Sequence, residues 1–118
     1  MSDESRLHDH ECRRFLDPEE KGLVTVLIDK AGQLNLPTGW LDRVHVIPLD
    51  DGGMGSLRFL PLMKRERRMG RQVAEVCFVD DDGVGVIVTL NLDEDDFPFE
   101  LDVWKSNFAP LVHGLKVP

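Results

Sequence analysis

Two apolar, β-branched runs that flank a tight acidic turn restrict the fold of this chain more than any other feature of its sequence. The turn is Asp80 to Gly83, and the runs extend over residues 73–79 and 84–92. In the second run an apolar residue recurs at every other position, which is the period of a half-buried strand. These positions are Val84, Val86, Val88, Leu90 and Leu92. The pattern predicts an antiparallel hairpin, which must pack against further strands or a helix to be stable.

Three more strands and one helix complete the predicted fold. Residues 44–49 and 56–60 read as a second hairpin, and residues 97–104 as a strand in which Pro98 predicts either an edge position or a delayed start. The helix begins at Asp17 and Pro18 and ends at Gly32. Its apolar stripe is Leu23, Val24, Leu27 and Ile28. The predicted fold class is α+β, an antiparallel meander sheet of about five strands packed by one N-terminal amphipathic helix.

The chain has the length of one domain, but its first residues are too polar to join a core. Residues 1–13 are predicted to form a polar, flexible arm, and residues 14–118 a single α+β domain. No stretch has the length and apolar composition of a signal peptide or a membrane helix, so we expect a cytoplasmic protein without membrane contact.

Cys12 and Cys77 are expected to be free thiols, with Cys77 buried as a small apolar side chain.

Acidic residues outnumber basic ones, and this imbalance limits the classes of partner. The chain contains 22 Asp and Glu against 14 Lys and Arg, a formal net charge of −8. Because phosphate contacts supply most of the affinity of nucleic-acid-binding proteins, this charge argues against nucleic acid as a partner. An acidic protein instead attracts basic surfaces. The basic segment, residues 64–71, has no interleaved aromatic residue and is expected to pair with acidic turns of its own chain.

The candidate partner-binding residues lie mainly in an acidic stretch, residues 75–102, that contains no Lys or Arg. The predicted hairpin places its two acidic turns at opposite ends of the sheet. Charged turns are common on soluble proteins, but this density of like charge also suits a docking face for a basic partner. Trp104 either packs against Trp40 or the helix, or anchors an interface beside its acidic neighbours. The predicted partner-binding residues are Asp80, Asp81, Asp82, Asp93, Glu94, Asp95, Asp96, Glu100, Asp102 and Trp104.

No catalytic residue, metal site or cofactor site is predicted. The four histidines are scattered, with His8 and His10 in the polar arm, and the acidic turns lack the ligand spacing of a calcium loop. The glycine-rich segment, residues 51–56, leads into a strand where a phosphate loop requires a helix, so we expect a tight turn with positive φ. Ser56 lacks the surroundings of a catalytic nucleophile. We therefore expect a protein that is not an enzyme and that holds neither metal nor cofactor.

Two segments carry a resemblance to a family of small uncharacterised bacterial proteins, and the similarity runs from Arg14 to Leu111. The segments are Asp51-Gly52-Gly53-Met54-Gly55-Ser56 and Phe99-Glu100-Leu101-Asp102-Val103-Trp104-Lys105. That family is similar in size and acidity to the immunity proteins encoded beside polymorphic or contact-dependent toxins. The resemblance implies an antitoxin-like protein that neutralises a cytosol-acting toxin by meeting a basic toxin domain with an acidic surface. The alternative is a small regulatory or adaptor domain, with homodimerisation left open.

Overall fold

The computed structural model describes residues 13–118, so the predicted polar arm, except for Arg13, lies outside the described residues. Two helices and six strands follow one another in this range. They are β1 (Arg14–Phe15), α1 (Pro18–Ala31), α2 (Trp40–Arg43), β2 (His45–Pro48), β3 (Leu57–Phe59), β4 (Met69–Val79), β5 (Gly85–Asp93) and β6 (Pro98–Lys105). The predicted α+β class is confirmed.

The six strands form one open antiparallel sheet in the order β1-β2-β3-β6-β5-β4. The first three strands are a meander, after which the chain crosses to β4 at the far edge and returns through β5 and β6 to β3. The two-residue β1 was not predicted. β6 lies between β3 and β5 with Pro98 as its first residue, so the delayed start is confirmed and the edge position is wrong. Proline is tolerated there because the ladder needs no N–H from that residue.

The helix α1 begins and ends where the sequence predicts, for reasons visible in its caps. The Asp17 carboxylate accepts the N–H of Glu20 at 2.8 Å, and the Glu20 carboxylate accepts the N–H of Asp17 at 2.9 Å. This reciprocal capping box satisfies two backbone donors that would otherwise lack partners. At the other end Gly32 adopts a φ of 90°, which stops the helix at little steric cost.

The helix covers one face of the sheet and leaves the other open over β4, β5 and β6. α1 packs on β4 and β5, with Leu23, Val24 and Leu27 fully buried and Ile28 partly buried against the core. The other face of β4 carries Cys77, whose side chain is exposed. The predicted burial of Cys77 is therefore wrong, because the residue occupies an outward-facing position of its strand.

Candidate partner-binding surface

Lys105 occupies a core-facing position at the end of β6, where a Lys is rarely found. Its backbone pairs with the buried Val86, and its side chain is 0% exposed. The amine donates hydrogen bonds to Asp80 Oδ2 at 2.8 Å, to Asp82 Oδ2 at 2.7 Å and to the carbonyl of Pro110 at 3.1 Å. Two carboxylates and a carbonyl thus replace the water that the cation loses on burial.

This contact fixes the charge state of the first acidic turn, residues 80–82. The pKa of Asp80 is lowered from 3.8 to about 2, mainly by the hydrogen bond from Lys105 and in addition by the N–H groups of Val112 and Asp81, against the opposing effect of burial. The same hydrogen bonding raises the pKa of Lys105 and lowers that of Asp82. Because Asp80 is only 3% exposed, it cannot contact a partner directly.

The first acidic turn also holds the C-terminal segment, residues 106–118, against the sheet. Asp80 Oδ2 accepts the N–H of Val112 at 2.9 Å, and Asp81 pairs with His113 and Lys116. Leu115, which lies between these contacts in sequence, is part of the buried core. The charges of this turn are thus used largely within the chain, and not as free groups at a loop tip.

The second acidic turn, residues 93–96, is built around one fully buried carboxylate. Arg65 and Arg67 donate to Asp93 Oδ2 at 2.8 and 3.2 Å, and the N–H groups of Asp95 and Phe97 donate to Oδ1 at 2.8 and 3.0 Å. Burial alone would raise the pKa of Asp93, but these four donors together lower it below its ordinary value. Asp93 therefore connects the basic segment to the turn and is itself inaccessible to a partner.

Two further contacts join the basic segment to the second acidic turn. Arg65 reaches Asp95 at 3.2 Å, and Arg71 reaches Asp96 at 3.4 Å. The expectation that the basic segment pairs within its own chain is confirmed. Because these two aspartates keep more than half of their side-chain surface exposed, 68% and 55%, they remain accessible, and ion pairs so exposed contribute little to stability.

The two glutamates among the predicted residues are also engaged within the chain. Arg58 donates to Glu100 at 3.0 Å across the β3–β6 pair, and its guanidinium lies 4.5 Å from the ring centroid of Phe99. Glu94 accepts the N–H of Arg68. Arg58 therefore partly neutralises Glu100, whereas Glu94 is held by a backbone N–H and keeps its charge.

Gly70, beside Asp93 in the irregular part of the β4–β5 pair, leads to a first testable prediction. A Cβ at this position would lie 2.6 Å from the carbonyl oxygen of Asp93, a backbone atom that cannot rotate away. Gly70→Ala should therefore lower the free energy of unfolding by about 1–3 kcal/mol. Gly85→Ala is the control, because Gly85 is also in a paired strand but a methyl group added there would extend into open space. Equal stabilities of the two variants in urea would contradict the prediction.

The remaining predicted residues, Asp102 and Trp104, lie on the face of the sheet opposite α1. The strand register aligns them with residues of β4 and β5 in two rows. We call these six residues the open patch: an apolar row of Cys77, Ile87 and Trp104, and a polar row of Glu75, Thr89 and Asp102. The patch combines apolar area with negative charge on a rigid sheet surface, and it is formed by three strands that follow one another in the chain.

Trp104 is the largest side chain of the open patch, and it is 43% exposed. Its ring packs edge-on against Phe108 with centroids 5.8 Å apart, whereas Trp40 lies in the core against Phe59 and Phe97. The alternative in which Trp104 packs against Trp40 or the helix is therefore wrong. Within residues 13–118, neither of the two patch carboxylates, at positions 75 and 102, forms an ion pair.

The glycine-rich segment adopts the tight turn that the sequence predicts. Gly52, Gly53 and Gly55 have φ values of 78°, 81° and 103°, and the Asp51 carboxylate accepts the N–H groups that follow it. The neighbouring cavity has a volume of about 250 Å³. Its charged lining groups already have partners, since Arg14 and Glu20 pair at 2.7 Å, so the cavity offers little to a charged ligand.

Residues 13–118 contain neither a cluster of metal-binding side chains nor a membrane-spanning helix. In this range no three His, Cys, Asp or Glu side chains come together as a metal site would require. Neither of the two helices in it has the length and apolar composition needed to cross a bilayer. The prediction that the purified protein contains no metal remains to be measured, and His8 and His10 lie outside the described residues.

Comparison with known proteins identifies a family without a described activity. No curated protein and no solved structure matches the chain significantly. Residues 13–116 match the family described as Domain of unknown function (DUF6984), which accounts for nearly all of the described fold, including the open patch. The chain therefore belongs to the DUF6984 domain family.

Proposed function

We propose that this domain is a protein-binding module that recognises a basic partner through the open patch. The observation that carries the proposal is the exposed Trp104 on an uncovered sheet face that also carries two carboxylates, Asp102 on the same strand and Glu75 two strands away, neither of which has a cationic partner among residues 13–118. The other clustered acids mostly hold the fold together. Binding, and not turnover, is the proposed activity.

The chemistry of the open patch favours a protein partner with positive charge. A partly exposed Trp on a rigid strand supplies much apolar contact area with little loss of conformational entropy, and Trp is enriched among residues that dominate binding energy. Carboxylates beside it attract Lys and Arg and set orientation. The net charge of −8 adds long-range attraction to a basic surface and repels nucleic acid.

The finer proposal is that the partner is a basic toxin domain, which this protein neutralises as an immunity protein would. Support comes from the acidic balance of a small domain and from the resemblance carried by Phe99 to Lys105, the segment that contains Asp102 and Trp104. The alternative is a regulatory or adaptor domain. In that case the same surface would bind a different basic protein. A toxin gene directly upstream in the genome would favour the first alternative.

A capture experiment with matched variants tests the proposal. Tagged wild-type protein is incubated with lysate of the native host, and the basic proteins that it retains are identified, purified and titrated against the wild type and each variant. Trp104→Ala should weaken binding about 30-fold, the loss typical of an interface anchor. Phe15→Ala is the control, because Phe15 is an exposed aromatic residue (55%) at the other end of the sheet. Equal affinities of the two variants for the purified partner would refute the proposed surface.

A further inference from the structure

The outer edge of β4 is a surface separate from the Trp104 end of the open patch. β4 is the last strand of the sheet, and among residues 13–118 its backbone forms hydrogen bonds only within the ladder to β5. The N–H of Asp80 bonds to the carbonyl of Val84, which closes this hairpin. Because bonded and non-bonded pairs alternate along an antiparallel ladder, Glu75, Cys77 and Val79 direct their backbone groups away from β5.

The second half of this edge lacks the usual protection against pairing. In soluble proteins, bulges, prolines or charges normally prevent a free edge strand from pairing with another chain. In the first half of β4, the irregular pairing between Met69 and Ala74 has this effect. Residues 74–79 keep a regular register, contain no proline and carry one charge, at Glu75, while Val79 is 62% exposed. This half of the edge is therefore suited to pairing with another strand.

We infer that the occupant of this edge is a second copy of the chain, which pairs antiparallel to β4 about a two-fold axis at Cys77. A two-fold axis perpendicular to the sheet places directly opposed residues on the same face. Cys77 then lies opposite Cys77 of the second copy, and Glu75 lies opposite the second copy's Val79. All three residues whose backbone groups point outward take part in the new ladder.

Two observations favour this register over axes nearer the start of β4: the placement of charge along the strand, and the continuity of the apolar rows. An axis at Glu75 would oppose two carboxylates directly, which is destabilising. An axis at Val76 would leave Val79 opposite the bulged residue Val73. The axis at Cys77 instead joins the apolar rows of both copies, each formed by Cys77, Ile87 and Trp104, into one continuous row across two sheets.

The dimer and the complex with a basic partner should respond to salt in opposite directions. Each copy carries a net charge of −8, so the two copies repel one another at low ionic strength. Screening by added salt should strengthen the dimer, whereas it should weaken association with a basic partner. The two inferences can therefore fail independently.

Sedimentation equilibrium of the full chain under reducing conditions tests the dimer. The wild type should associate reversibly, and more tightly at higher salt. Cys77→Glu, which places two carboxylates opposite each other at the axis, should raise the dimer dissociation constant at least about tenfold. Thr25→Glu adds the same charge on the exposed side of α1, away from the β4 edge and from the open patch, and should change it by less than about threefold. A wild-type protein that stays monomeric up to about 1 mM in both salts would overturn the inference.

Crosslinking tests the register. In a Cys12→Ser background, copper–phenanthroline should link the two Cys77 thiols, because opposed residues are roughly 5.5 Å apart, within the reach of a disulfide. Glu75→Cys in a Cys12→Ser, Cys77→Ser background should crosslink far less, because its thiols would lie opposite Val79 and not opposite each other. Efficient linking through position 75 with none through Cys77 would refute the Cys77 axis.

Discussion

Lys105→Met is expected to lower Tm by at least about 15 °C, because it removes the cation from a buried cluster and leaves Asp80 enclosed without a counter-charge. The side chains of Lys105 and Asp80 are both 0% exposed, so water cannot easily replace the lost contact. The C-terminal segment should loosen as well, since Lys105 also holds the carbonyl of Pro110. Differential scanning calorimetry measures the loss.

A second substitution separates loss of charge pairing from loss of packing. Lys105→Met combined with Asp80→Asn removes both buried charges and keeps an acceptor for the N–H of Val112. This double variant should be more stable than Lys105→Met alone, because replacing both members of a buried pair costs less than removing one. A double variant less stable than the single one would contradict the assignment of Asp80 as the uncompensated charge.

The pH dependence provides an independent check with a definite sign. The pKa of Asp80 is lowered to about 2, below its value in an unfolded chain, so the ion pair contributes stability above about pH 4 and loses it as the pH falls towards 2. In Lys105→Met the buried Asp80 loses its main stabilising donor, so acid relieves the penalty of an uncompensated charge. The difference in Tm between wild type and Lys105→Met should therefore shrink between pH 5 and pH 3, and a constant difference would contradict this account.

Leu27→Ala should lower the free energy of unfolding by about 2–5 kcal/mol. Leu27 is fully buried where α1 packs on the sheet, so truncation removes apolar contact and leaves a cavity in the core. Thr25→Ala is the matched control, because Thr25 lies on the exposed side of the same helix. Urea unfolding followed by circular dichroism gives both values. A loss below about 1 kcal/mol for Leu27→Ala would mean that α1 contributes little to the core.

Much of this fold follows from short-range sequence signals. The Asp17-Pro18 start, the Gly32 stop and the alternation along β5 locate α1 and the main hairpin within a few residues. Strand order does not follow from such signals. The placement of β6 beside β3 depends on which edges meet after the chain crosses the sheet, and local propensities do not encode that choice.

The sequence identifies the acidic cluster but not the different roles of its members. In the sequence, Asp80 and Asp93 resemble exposed turn residues. In the structure each is buried and pairs with a cation more than twenty positions away. One local signal does point to the buried cation, since Lys105 continues the inward-facing spacing of Leu101 and Val103. Cys77 and Glu75 share a surface with Trp104 only because of the way the strands pair, so the open patch could not be predicted without the register seen in the structure.

The central claim, that a basic partner docks on the open patch, can be tested by ¹⁹F NMR of protein labelled with 5-fluorotryptophan. The chain contains two tryptophans, the largely buried Trp40 and the exposed Trp104, and Trp104→Phe assigns their resonances. Titration with the captured basic partner should shift the Trp104 resonance and remove its sensitivity to D₂O, while Trp40 stays unchanged. An unchanged, solvent-sensitive Trp104 resonance at saturating partner would contradict the claim.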